Sequence, residues 1–412
     1  MAVTEAQARR ALRRASIEWD EKVKDPRQAH NQRHEHHGLL SVFAVAFACG
    51  RTCLRRVEDF AADLGPTLRK RLGLPRGVSD TTLYRLLSKQ SVSGLRETAW
   101  KKVRELIEGK LIRRDLFKVG VLSLDGKSLW ASSRTTVEGA KTANDKKHGV
   151  ITSTLMSLRA VLTSSRLRPC LDAEIIGKGT GESPAFRKVF PRAVEQFGGQ
   201  FEIVTTDAGM TCSENAALVV GAKKHYLFAL RANLHRLFEL VVGMMEDAPL
   251  RTYREENRDG TRIRRELYTR TVNDIAALSF PGIQQVWKLR QTVSRGDVVL
   301  SDHVRYFVSS IPPLLLAPKD QLALVRLHWG IENGHNWTMD VALQEDDRQP
   351  CQSTQDAIEV VGWLRIIGYN LLSAWRAQLS PKDGKPTSWA RCMELLRDAF
   401  VSNREGLFAT LE

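Results

Sequence analysis

The sequence is poor in cysteine, in aromatic residues and in long apolar runs, and it has fewer acids than bases. Six cysteines in 412 residues, at positions 49, 53, 170, 212, 351 and 392, are too few and too scattered for a disulfide framework. Only Cys49 and Cys53 lie close, and C-x3-C without a second pair is a weak zinc pattern. Two buried thiols on adjacent helical turns are the simpler reading, and a reduced, cytoplasmic compartment is the expectation. The longest apolar run, near Leu39 to Cys49, is about half the ~20 residues that span a bilayer. The N-terminal stretch has paired arginines but no apolar secretory core. Together these absences point away from a secreted, disulfide-stapled or membrane protein. Internal repeats and low-complexity segments are absent too.

What the chain has in excess is positive charge, with 62 Lys+Arg against 47 Asp+Glu giving +15. The bases cluster at Arg9, Arg10, Arg13 and Arg14, at Arg51, Arg55 and Arg56, at Arg69, Lys70 and Arg71, and at Arg262, Arg264 and Arg265. Clustered cations favour a polyanion, because phosphate contacts release counterions and give affinity without reading sequence. Solubility alone would also explain them.

The length allows two or three domains. Residues 1–115 read as a helical domain with helices at Ala6–Glu18, Leu39–Cys49 and Arg51–Leu64. A further helix, started by Ser79-Asp80-Thr81-Thr82, carries Leu83, Leu86 and Leu87. Short helices, a Gly73/Pro75/Gly77 turn and basic residues suit either a helix-turn-helix-like DNA-binding unit or plain helical packing. The dense histidines His30, His34, His36 and His37 read as a solvated helix start. Residues 116–235 change period, with strands at Val119–Leu124, Val150–Leu162, Cys170–Ile176, Phe201–Thr205 and Tyr226–Leu230. Helices at Pro184–Phe197 and Ser213–Lys223 alternate with the later strands. Residues 236–312 read as a β-rich insertion with strands at Arg262–Val272, Val286–Val293 and Val298–Val308. Residues 313–412 are helical, from Pro318 at a first turn to Ala357–Ala377 and Trp389–Leu411. The fold class is α/β (α+β), a mixed sheet flanked by helices.

Three acids stand out. Asp125 in VGVLSLDGKSL and Asp207 in FEIVTTDAG each end an apolar strand, where aspartate is commonly a turn former, and Asp125-Gly126 reads as such a turn. Glu332 lies in LHWGIENGHNWTMDVALQEDD, framed by Trp329, Ile331 and Trp337. A carboxylate there loses hydration unless something positive meets it. On an α-helical period His328, Glu332, His335 and Asn336 share one face beside the apolar Leu324, Leu327 and Ile331. His328, Glu332 and His335 lack zinc spacing. Three carboxylates from distant segments suit Mg²⁺ or Mn²⁺, and two such ions a few ångströms apart support in-line phosphoryl transfer.

These segments resemble the DDE transposases of bacterial insertion sequences, of the H-repeat-associated type. LSLDGKSL, VTTDAG followed by HYLFALRAN, and LHWGIENGHNWTMDV carry the resemblance, and Gly77–Thr82 with the helices before it resembles that family's N-terminal associated domain. The resemblance implies an RNase H-like catalytic core interrupted by an insertion before the last acid. It implies that Asp125, Asp207 and Glu332 hold Mg²⁺ or Mn²⁺, two ions in all, and cut DNA at element ends before joining the freed 3′-OH to target DNA. The partners implied are double-stranded DNA, as terminal inverted repeats and target, and a second copy of the chain in a DNA-bound homodimer, with no membrane. Candidate DNA contacts are His328, Asn333, Arg231, Lys127, Trp287 and Arg264. The chain departs from the family at His335, displaced by one position, at Arg231 in place of lysine and at Met339 in place of lysine. A non-cutting DNA-binding descendant and an RNase H-like nuclease are the other readings.

Overall fold

A computed structural model describes residues 17–75, 77–145, 150–273, 279–346, 349–379 and 386–401, so the arginine-rich stretch expected at Ala6–Glu18 lies almost wholly outside the described residues. The N-terminal region is helical: α1 (His36–Ala48), α2 (Leu54–Asp63), α3 (Pro66–Arg71), α4 (Asp80–Leu87) and α5 (Leu95–Glu108). Ser79 caps α4 as expected, its side chain accepting from the Thr82 amide at 3.3 Å and satisfying one of the unpaired first-turn donors. Helix α1 is apolar on every side, so it is buried nearly throughout. It packs against α10 (Gln355–Arg376), and the N-terminal and C-terminal helices share one apolar core.

Several local expectations change here. His34 and His36 are buried rather than solvated, and His36 Nε2 meets Gln90 Oε1 at 2.7 Å. Cys49 and Cys53 flank the turn between α1 and α2 instead of stacking on successive turns of one helix. Helix α10 also outruns the apolar run read from the sequence: its 22 residues have the length and apolarity of a membrane span, while 94% of its apolar window is buried within the fold.

The central sheet has strands β1 (Val121–Ser132), β2 (Lys141–Asp145), β3 (Val150–Leu162), β4 (Cys170–Ile176), β5 (Ile203–Thr206), β6 (His225–Leu230), β7 (Leu250–Arg258), β8 (Thr261–Thr271), β9 (Gln285–Arg295) and β10 (Val298–Ser309). Helices α6 (Glu182–Phe197), α7 (Ser213–Gly221), α8 (His235–Met244), α9 (Pro318–Gly330) and α11 (Trp389–Val401) complete the described fold. The order is β2-β3-β1-β5-β6-β10-β9-β8-β7, with β4 also paired to β3. Strand β1 runs antiparallel to β3 and parallel to β5, and β5 runs parallel to β6. The architecture is thus a mixed α/β sheet flanked by helices. The strands β7–β10 hydrogen-bond onto β6 and continue this same sheet. Sequence reasoning missed β7 and β2. Strand β7 shows no alternation because both its faces are largely exposed, and β2 is short and polar.

Asp125 and Gly126 form no turn. Both lie inside β1, in register with Arg159 and Leu158 of β3. The strand runs on beyond them because the partner β3 is thirteen residues long and supplies ladder bonds past the acid.

Candidate active site

Parallel pairing brings the two aspartates together. Leu124 of β1 is in register with Thr206 of β5, so Asp125 and Asp207 are the next residues on adjacent strands. The carboxyl ends of neighbouring parallel strands open a crevice, where α/β sheets commonly bind ligands. Beyond β6 the same crevice is walled by Arg231 and Ala232, and on β10 by His303 and Arg305. It is a cleft of about 440 Å³ that also takes in Asp207, His328, Trp329 and Glu332.

The alternation of strand side chains builds the floor. Ser123 and Thr205 sit two residues before the aspartates, on the same strand faces. Buried hydroxyls run Thr163–Ser123 at 2.7 Å and Ser123–Thr205 at 2.8 Å, and Thr205 Oγ1 meets His328 Nδ1 at 3.0 Å. This chain of hydrogen bonds ties α9 to the two acid-bearing strands. Burial, then the Arg305 charge, pushes His328 down to about 4, so its ring is neutral near pH 7. His328 thus ties the helix to β5 through its Nδ1, and its Nε2 has no protein partner among the described residues.

Helix α9 ends at Gly330 and the backbone continues as π-helical turns, Ile331–Asn336 and Thr338–Ala342. Such turns are rare and favour functional sites. The wider turn breaks the face expected from an α-helical period. Glu332 is exposed toward the cleft, whereas His335 is fully buried and packs edge-on against Tyr369 with ring centroids 4.4 Å apart. Asn336 donates from Nδ2 to Asp125 Oδ2 at 2.9 Å. The expected apolar frame of Glu332 is also only partial, since Ile331 is buried, Trp329 half-buried and Trp337 49% exposed.

Asp125 is pushed up to about 7, by burial first and then by the carboxylates of Glu332, Asp207 and Glu182. Glu182, the first residue of α6, is raised by burial and by Asp207. Glu182 escaped sequence reasoning because the helix was expected to begin at Pro184, and an acid beside a glycine pair reads as loop. Among the described residues no group of three or more His, Cys, Asp or Glu side chains is arranged to hold a metal ion as it stands. The acids face one another in an open arrangement. An all-oxygen donor set with excess negative charge fits a hard divalent cation.

The remaining candidates separate. Arg231 is exposed on the cleft wall, and Asn333 is exposed beside Glu332. Lys127 is buried and paired to Asp340 and to Glu345, so it has no free ammonium for a phosphate. Trp287 is 0% exposed within the core formed by Ile203, Leu227, Leu289 and Phe307 and has no face for a base. Arg264 is exposed on β8, paired to Glu266 at 2.9 Å and stacked on Tyr253, away from the residues lining the cleft. Trp329 lines the cleft along with Phe238, Tyr306 and Phe307, and the Arg305 guanidinium lies 4.7 Å from the Trp329 ring centroid. Neither Trp329 nor Arg305 was singled out as a contact from sequence.

Residues 21–101 match the DDE_Tnp_1-associated family model. The chain is 24% identical over 373 residues to "Putative protein YbfL" of Escherichia coli (strain K12), covering 85% of this chain and 88% of that protein. It is 29% identical over 192 residues to "H repeat-associated putative transposase YhhI" of the same organism, covering 42% of this chain and 47% of that protein. A piggyBac transposase synaptic complex with hairpin DNA aligns over 99% of this chain and 80% of its own, at 13% identity and TM-score 0.45. The family model and the H repeat-associated relative support a DDE-type transposase, in line with the resemblance read from the sequence.

Proposed function

We propose that the chain is a transposase that cuts DNA at the ends of its own element and joins the freed 3′-OH to target DNA. One observation carries the reading: Asp125 on β1 and Asp207 just past β5 follow a parallel register pair, the charges of Asp207 and Glu332 act on Asp125, and those two acids line a cleft walled by Arg231 and Arg305. The strand order β4-β3-β1-β5-β6 supports an RNase H-like core for this chemistry.

Asp125, Asp207 and Glu332 would hold Mg²⁺ or Mn²⁺. Such an ion, when bound, lowers the pKa of an attacking water and neutralises charge on the leaving oxygen. The chain's own residues do the rest. Arg231 and Arg305 meet backbone phosphates, and the Trp329 face suits stacking of an unpaired base, with Arg305 behind it. Asn336 fixes the Asp125 carboxylate, and His328 fixes the helix that delivers Glu332. Exposed Arg55, Arg56, Lys70 and Arg71 on α2 and α3 would extend the cationic surface along a duplex. A homodimer holding two ends is part of the proposal.

The test uses DNA spanning the ends of the gene's neighbourhood, with Mn²⁺ and purified protein. Cleavage that disappears in Asp125→Asn, Asp207→Asn and Glu332→Gln, while DNA binding persists, is the expected result. If those variants cut like the parent, the site assignment is wrong. Binding without cutting by the parent would favour a DNA-binding descendant.

A further inference from the structure

We propose that Glu182 is a fourth carboxylate of the acid site and ligates the divalent cation together with Asp125 and Asp207. The inference rests on the reading of Asp125, Asp207 and Glu332 as a cation site. Two glycines locate the Glu182 carboxylate. A Cβ placed on Gly126, next to Asp125, would fall 1.9 Å from Glu182 Oε1. A Cβ on Gly209, two residues past Asp207, would fall 2.8 Å from Glu182 Oε2 and 3.4 Å from Asp207 Oδ1. The carboxylate therefore lies close to the backbones that carry the two aspartates, and a methyl at either glycine would push it aside.

An acid at a helix start is ordinarily a partner of the helix dipole. Glu182 lies where carboxylate meets carboxylate: burial and the Asp207 charge oppose its ionisation, and the Lys141 charge only partly offsets them. A second feature of the site points to a ligand independently. Asn336 is 8% exposed and its amide lies on Asp125, yet its Oδ1 has no protein donor. A buried amide oxygen costs free energy unless a donor or cation meets it. Carboxylates from β1, α6 and the loop after β5, with an amide oxygen beside them, form an oxygen donor set of the kind hard divalent ions take. Mutual repulsion keeps the carboxylates apart until a cation draws them in.

The experiment titrates chelator-stripped protein with Mn²⁺ alone, read by calorimetry and by the spin resonance of bound Mn²⁺. Loss of one ligand in Glu182→Gln should raise the half-saturating Mn²⁺ concentration about tenfold or more, given that even outer-shell partners are worth about 10–100-fold. Gly126→Ala should do the same, because its methyl displaces the carboxylate while leaving it charged. Glu182→Asp should fall between. Without metal, Glu182→Gln should melt at or above the parent temperature, since one repelling charge is gone. Parental Mn²⁺ affinity in Glu182→Gln and Gly126→Ala, with affinity lost in Asp125→Asn, would overturn the role of Glu182 and leave the underlying site intact. Parental affinity in Asp125→Asn as well, or no Mn²⁺ binding by the parent, would overturn both. A Glu182→Gln protein melting several degrees below the parent would mark a structural role and also overturn the proposal.

Discussion

Behind the cleft lies a buried ion cluster whose disruption gives a sharp energetic test. Glu345 is 0% exposed and accepts from Arg159 Nη2 at 2.8 Å, with Lys127 Nζ at 3.5 Å from its other oxygen. Its backbone carbonyl also accepts from Arg365 Nη1 at 3.2 Å. Burial alone would raise its pKa, but Arg159, Lys127 and Arg365 outweigh burial and hold Glu345 below the usual range. Lys127 is shared with Asp340, so the ion pairs link Arg159, Glu345, Lys127 and Asp340. Glu345→Gln leaves the buried Arg159 guanidinium without its carboxylate partner. Removing one partner of a buried pair costs about 3–5 kcal/mol. Glutamine keeps an acceptor for Arg159, which places the expected loss near the lower end, about 3 kcal/mol. At about 1–2 °C per kcal/mol for a chain of this size, the melting temperature should fall by roughly 3–6 °C. Denaturant unfolding of parent, Glu345→Gln, Arg159→Met and the double variant Arg159→Met/Glu345→Leu measures the coupling. The double variant should lose less than either single change, since it removes both partners of the Arg159–Glu345 pair together. A Glu345→Gln protein within about 1 kcal/mol of the parent would refute the account of this cluster.

Acid should destabilise the fold partly through His328. Its folded value of about 4 lies below the unfolded value of about 6.5, so its contribution is complete above about pH 6.5 and is lost as pH falls toward 4. The full contribution is about 3 kcal/mol at about 1.36 kcal/mol per pH unit. His328→Gln, which can still bond Thr205, should flatten the dependence of the urea midpoint on pH between 7 and 4.5, and an unchanged dependence would contradict a neutral buried ring. The two tryptophans near the sheet should part company: Trp287→Ala should cost about 3–5 kcal/mol by opening a core cavity. Trp329→Ala should leave the melting temperature close to the parent while weakening single-stranded DNA binding by about 1–3 kcal/mol. Melting curves and fluorescence anisotropy with a labelled oligonucleotide distinguish the two, and equal effects on both readouts would count against the stacking surface.

Most elements were legible because their signals are local. The apolar runs at Val150–Leu162 and Cys170–Ile176 match β3 and β4 residue for residue, and Ser79 caps α4 as its side-chain chemistry demands. Legibility failed where the environment sets the outcome. Asp125-Gly126 has turn chemistry, yet pairing with Arg159 and Leu158 of β3 holds it in a strand. The run from His328 to Asn336 follows an α-helical period on paper, but the π-helical turns redirect His335 into the core and Asn336 onto Asp125. Trp287 and Lys127 were reasonable DNA contacts by residue type, and packing buried both.

The sequence by itself determined the three acids, the strands that carry two of them and the excess of positive charge, because covalent neighbours and hydrophobic period fix those. It also singled out the segment around Glu332. Only the tertiary structure decided how the acids meet, since parallel pairing of β1 with β5 is a contact between residues 82 positions apart (207 − 125). The same fold brought Glu182 between Gly126 and Gly209 and sent Arg305 and Trp329 to the cleft. Long-range pairing follows from the burial of whole faces together, and no local pattern around Glu182 encodes it.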